Sequence, residues 1–120
     1  MSDLVYQLIE EEEQRQIEKI GLIPSENQMS PKVTKALSSC LSSKYSEGYP
    51  GRRYYEGNQI IDELENLAIN RAKALFQVPF ANVQAYSGSP ANSAIQFALL
   101  EPGDVLMGLQ LSGGGHLTHG

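Results

Sequence analysis

Basic residues are scarce in this chain: nine Lys and Arg stand against fourteen Asp and Glu, a net charge of -5, and no basic cluster exceeds the Arg52-Arg53 pair. Nucleic acid is held mainly through such clusters, so a nucleic-acid face is excluded. Cysteine is scarcer still. With Cys40 alone, no internal disulfide can form and the usual CxxC zinc patterns are absent, which points to a reducing, cytoplasmic setting. No apolar run approaches the roughly 20 residues that span a bilayer. The opening Met1-Ser2-Asp3-Leu4-Val5 runs into acidic residues, the reverse of a secretory or transit signal. What remains, 120 residues with 41% hydrophobic and 19% charged content, is ordinary for a small globular domain.

The most informative stretch runs from Lys44 to Asn58. It gathers four tyrosines (Tyr45, Tyr49, Tyr54, Tyr55), two carboxylates (Glu47, Glu56) and both adjacent arginines. Gly48, Pro50, Gly51 and Gly57 break any helix or central strand there. A loop this dense in phenols, carboxylates and guanidinium groups offers donors and acceptors to a small polar ligand. A plainer use of Glu47 is an ion pair with Arg52 or Arg53 that only fixes the loop.

Around this loop the chain reads as helices. Ser2 or Asp3 is placed to cap a first helix bearing Leu4, Val5, Leu8, Ile9, Ile17 and Ile20, with Gly21 as its stop. Its acidic run, Glu10 to Glu13, points around the helix and reads as a solvated face, not a metal site. Pro24 forces Ile23 out of helical geometry, so Ser25-Glu26-Asn27 lies on irregular chain. Ser30-Pro31 is a strong helix start, and Val33, Ala36, Leu37, Cys40 and Leu41 follow at helical spacing, which predicts a core position for Cys40. Asn58 is placed to cap a long helix with Ile60, Ile61, Leu64, Leu67, Ala68, Ala72 and Leu75 on one stripe, closed by Pro79.

Ala81 to Tyr86 reads as a short strand that delivers the chain into Ser87-Gly88-Ser89-Pro90. Ser89 is placed to cap a helix starting at Pro90, whose free N-H groups and positive dipole end suit a phosphate. Val105 to Leu111 reads as a second, mostly buried strand, and strand, helix and strand in that order suggest a right-handed parallel unit. Ser112-Gly113-Gly114-Gly115-His116-Leu117-Thr118-His119-Gly120 leaves this strand at its carboxyl end, where open parallel sheets bind ligands. No third ligand is linked by spacing to His116 and His119, so no metal is expected. A glycine-backed imidazole instead offers a flat ring that stacks on a planar cofactor.

Leu22-Ile23-Pro24-Ser25-Glu26-Asn27, Lys44 to Asn58, Ser87-Gly88-Ser89 with Ala91-Asn92, and Gly114 to Gly120 stand in one order. Together they resemble the serine hydroxymethyltransferase family from about Ile17 to Gly120. That resemblance implies an α/β enzyme of the aspartate aminotransferase fold type (fold type I). Residues 1-120 would be its amino-terminal segment and the start of its pyridoxal-phosphate-binding large domain, helices followed by the first parallel strands. It further implies pyridoxal phosphate as cofactor and tetrahydrofolate as co-substrate. Serine and glycine are the exchanged amino acids, in a cytoplasmic homodimer with shared active sites.

Residue by residue, the resemblance implies that Tyr45 reaches the cofactor phosphate across the dimer interface. It implies that Ser87, Gly88 and Ser89 form the phosphate turn and that His116 stacks on the pyridine ring. Ser25 and Tyr55 match groups near the substrate amino acid. Glu47 matches the carboxylate beside the serine hydroxymethyl group, and Tyr54, Leu111, Gly115 and Leu117 match substrate and folate contacts. Glu47 and His116 are thus the catalytic candidates. Pro24, Glu56, Tyr86 and Pro90 depart from the commonest family pattern. The Schiff-base lysine and the carboxylate-binding arginine match none of the context around Lys19, Lys32, Lys35, Lys44 and Lys73. A longer enzyme is therefore expected, with these 120 residues inactive by themselves. Two other readings fit the same residues: a pyridoxal-phosphate aldolase of 3-hydroxy amino acids, and a non-catalytic oligomerisation module.

Overall fold

The computed structural model describes residues 3–118. They fall into two units that divide between Lys44 and Tyr45.

In the first unit, Asp3 accepts a hydrogen bond from the Val5 N-H at 3.2 Å and starts helix α1, Leu4–Glu18. Of the two expected caps, Ser2 lies outside the described residues. The helix stops at Lys19, whose backbone is extended, so Gly21 is not the terminator. The acidic run lies exposed on α1, as expected for a solvated face. Helix α2, Pro31–Leu37, begins as read from the sequence: the Ser30 hydroxyl accepts from the Val33 N-H and Pro31 occupies the first turn. It is shorter than its apolar spacing suggested. The Ser38 and Ser39 hydroxyls donate back to the Thr34 and Ala36 carbonyls, and the chain tightens into a 3-10 turn, Cys40–Ser43. Hydroxyls that bond the preceding turn compete with the helix ladder. Cys40 is consequently exposed and not a core residue.

The second unit opens with a hairpin, β1 (Gly48–Tyr49) against β2 (Arg52–Arg53), in the antiparallel register Gly48 to Arg53 and Tyr49 to Arg52. Pro50 and Gly51 form its turn. Gly51 has φ 73°, the left-handed value that position requires after proline. Helix α3, Gln59–Phe76, follows, and it ends at Gln77 in the left-handed region, before Pro79 is reached. Asn58 stands at its N-cap position but makes no capping bond. Its amide instead donates to the Tyr55 carbonyl at 2.8 Å.

Helix α4, Gly88–Leu99, starts two residues earlier than expected, with Ser87 and not Ser89 at the cap. Proline is tolerated anywhere in a first helical turn, because none of those N-H groups has an intrahelical acceptor to lose. Pro90 therefore sits at the third helical position. The strands expected at 81–86 and 105–111 do not form: among the described residues the only ladder is that of β1 and β2. A buried parallel strand needs neighbours to take up its N-H and C=O groups and cover both its faces. Here Val105 and Met107 remain 93% exposed.

Burial is correspondingly sparse. No hydrophobic side chain among the described residues is buried, and Asn58, 4% exposed, is the one buried residue. The apolar stripes of α1 and α3 are therefore faces without cover. No helix of the described residues is long and apolar enough to cross a membrane.

Candidate functional site

The Tyr-rich loop is organised by Arg53. Its Nε donates to Asp62 Oδ1 at 2.7 Å and its Nη2 to Glu65 Oε2 at 2.6 Å. Its Nη1 donates to the carbonyls of Ser46 and Gly48, at 2.7 and 2.9 Å. The side chain is 5% exposed and its carboxylate partners 24% and 13%. Asp62 and Glu65 lie three residues apart on one face of α3, so a single guanidinium fork reaches both. The second oxygen of Asp62 accepts from the Gly51 N-H at 2.8 Å. That backbone bond, followed by the Arg53 contact, holds the Asp62 carboxyl below its ordinary range, and the two carboxylates raise the Arg53 pKa.

This network occupies Arg53 with α3, leaving Glu47 out of the ion pair that would merely have fixed the loop. Glu47 is exposed, and what is held is its backbone. The carbonyl before it accepts from Arg53, its own accepts from the Tyr54 N-H at 3.2 Å, and the one after it accepts from Arg53 and Gln84. Beside it the rings of Tyr45 and Tyr55 meet at 5.9 Å, tilted by 52°. Tyr55 is anchored in turn through its carbonyl by buried Asn58, whose Oδ1 has no partner. Tyr54 points into solvent at 80% exposure.

At the start of α4 a second group forms. Ser87 has an extended backbone and makes no side-chain cap, and the first backbone acceptor in the turn is the Ser87 carbonyl, bonded by the Ala91 N-H at 3.3 Å. The N-H groups of Gly88 and Ser89 precede the first intrahelical acceptor, and nothing lies within 4 Å of the place a Cβ on Gly88 would occupy. Thr118 Oγ1 lies 3.1 Å from Ser89 Oγ and 3.1 Å from His116 Nδ1. The Thr118 N-H donates to the same ring nitrogen at 3.2 Å. In the neutral imidazole the proton is therefore on Nε2. The glycine run supplies the approach: Gly114 is left-handed at φ 102°, and the Gly115 N-H returns to the Gln110 carbonyl at 2.9 Å.

The structure thus brings Ser89 and His116 together, pairs Tyr45 with Tyr55, and leaves Leu111 and Leu117 as exposed apolar side chains near that imidazole in sequence. Ser25 belongs to the other unit, in a turn closed by the Glu26 N-H to the Ile23 carbonyl at 3.1 Å. His119 lies outside the described residues. The sequence reading missed Asp62, Glu65, Gln84 and Thr118 as partners. Only the i, i+3 spacing of the two carboxylates and the hydroxyl two residues after His116 pointed to them.

Free helix amides, two hydroxyls and an oriented imidazole make a class of site suited to an anionic group joined to a flat ring. A family model described as serine hydroxymethyltransferase matches residues 1–120. A serine hydroxymethyltransferase of Acidothermus cellulolyticus is 65% identical over 113 residues, 94% of this chain and 26% of the relative. One of Desulfotalea psychrophila is 58% identical over 116 residues, 97% of this chain and 27% of the relative. The chain belongs to the serine hydroxymethyltransferase family, and it spans about a quarter of the length of these relatives.

Proposed function

We propose that the full-length protein interconverts serine plus tetrahydrofolate with glycine plus 5,10-methylenetetrahydrofolate, as a cytoplasmic homodimer using pyridoxal phosphate. The observation that carries this is the meeting of Ser89, Thr118 and His116 at the amino end of α4, in a chain of this family. The fit to pyridoxal phosphate rests on the donor set: Gly88 and Ser89 N-H groups and the Ser87 and Ser89 hydroxyls for the phosphate, and an imidazole face for the ring. When bound, that group supplies the electron sink for cleavage at the amino-acid α-carbon. Thr118 holds the His116 ring through Nδ1 and so fixes the face it presents. Tyr45 and Tyr55, mutually packed, present phenol groups beside the Glu47 loop. Ser25 serves the amino acid, and Tyr54, Leu111, Gly115 and Leu117 serve the folate side.

Glu47 holds and moves a proton at the hydroxymethyl oxygen of serine. Its carboxylate is exposed while three consecutive carbonyls around it are bonded, which is the geometry of a presented group. Glu47→Gln in the full-length protein keeps size and hydrogen-bonding reach but cannot exchange the proton. The expected result is a fall in kcat of about a hundredfold or more with serine and tetrahydrofolate. Pyridoxal-phosphate affinity should be unchanged in visible-absorbance titration. Near-normal turnover would reduce Glu47 to a loop residue.

A further inference from the structure

Gln84 lies outside every motif of the site, yet it joins the site's two parts. Its backbone is pinned, the N-H donating to Asn82 Oδ1 at 2.9 Å. From that fixed point its side-chain amide donates twice, to the Gly48 carbonyl at 2.9 Å and to Glu65 Oε1 at 2.6 Å. The first acceptor is the carbonyl immediately after Glu47. The second is the carboxylate whose other oxygen holds Arg53. Three residues further along the chain stands Ser87, the cap of α4.

We propose that Gln84 is a positioning residue that sets the Glu47 loop against the segment leading into the Ser87-Gly88-Ser89 turn; the proposal rests on the role given to Glu47 above. An amide suits this position because one nitrogen carries two hydrogens, one for each acceptor. A carboxylate would repel Glu65, and an apolar side chain would leave the Gly48 carbonyl to Arg53 alone. A small displacement of a proton-handling group is costly in rate even where binding survives, so the effect belongs in kcat.

The test uses the full-length enzyme loaded with pyridoxal phosphate. Gln84→Met keeps length and removes both donors; Gln84→Lys restores a donor able to reach the carbonyl and the carboxylate. Gln84→Met should lose about tenfold in kcat with serine and tetrahydrofolate, with cofactor affinity and the KM for serine close to wild type. Gln84→Lys should stay within about threefold of wild type. In a Glu47→Gln background, Gln84→Met should cause no further loss, because the group it positions has already been disabled. Wild-type kcat in Gln84→Met, equal losses in the Met and Lys variants, or additive losses with Glu47→Gln would each overturn the proposal. A Gln84→Met chain that does not fold would overturn it too, making the contact a requirement of the fold. Absence of serine and tetrahydrofolate turnover in the wild type is a different result, and removes the proposed function itself.

Discussion

Arg15 and Arg53 carry the same guanidinium and both meet carboxylates at hydrogen-bond distance, but they hold different things. Arg15 grips Glu12 with two bonds of 2.7 Å, one turn away on the same helix, with the two side chains 58% and 48% exposed. Hydrogen bonds from Arg15 and then Gln16 bring the Glu12 carboxyl down to about 2. Solvent screens that pair, and it ties together residues that α1 already holds in place. Arg53 reaches acceptors from five to twelve residues away and is nearly out of solvent. An ion pair matters for function when it closes chain that would otherwise be open, however similar its bond lengths.

The largest expected effect follows from that contrast. In the full-length enzyme, Arg53→Met should lower kcat by about a hundredfold and reduce the thermal midpoint, because it frees the Ser46 carbonyl, leaves the Gly48 carbonyl to Gln84 alone and leaves Asp62 and Glu65 facing each other. Arg53→Lys should recover only a minor part, since an ammonium cannot reproduce the planar fork. Activity within about threefold of wild type for Arg53→Met would end the distinction between the two arginines.

A middle-sized effect concerns acid. The folded Asp62 pKa lies below the ordinary 3.8, first through the Gly51 N-H and then through Arg53. A lowered folded pKa contributes stability that is fully present above the ordinary value and is lost as pH falls through the folded one. Hairpin anchoring should therefore weaken below about pH 4. Asp62→Asn should remove that contribution at neutral pH and flatten the acid limb of an unfolding curve followed by thermal midpoint. An unchanged acid limb would place the sensitivity elsewhere.

The smallest effect is expected at Arg15. Arg15→Ala should shift the thermal midpoint by less than about 2 °C and leave kcat alone. A larger shift would mean that exposed i, i+3 pairs on α1 do more than local work.

Features governed by adjacent residues were legible in the sequence. Asp3 and Ser30-Pro31 start their helices as read, because caps depend on bonds two to three residues long, whereas the hairpin that turns at Pro50-Gly51 was read only as irregular loop. The clustering of Ser89 with the imidazole motif was legible only through the order of the motifs. Arg53 was not legible. Its neighbour Arg52 carries the same charge, and which of the two turns inward is decided by the hairpin register against α3. The strands at 81–86 and 105–111 fail for a related reason: alternation of apolar residues marks what a strand can do, while the ladder depends on neighbours that local sequence does not contain.

Gly48 and Gly51 stand three residues apart in one hairpin, both left-handed at φ 98° and 73°. A Cβ on Gly51 would meet nothing within 4 Å, whereas one on Gly48 would collide with the Arg52 carbonyl oxygen. Mutational drift is thus open at one and closed at the other. Asparagine, which tolerates the left-handed region, can replace Gly51 at modest cost, but any side chain at Gly48 must push apart the two strands that present Glu47. The residue that gives a chain its greatest freedom is, at Gly48, the one with the least room to change.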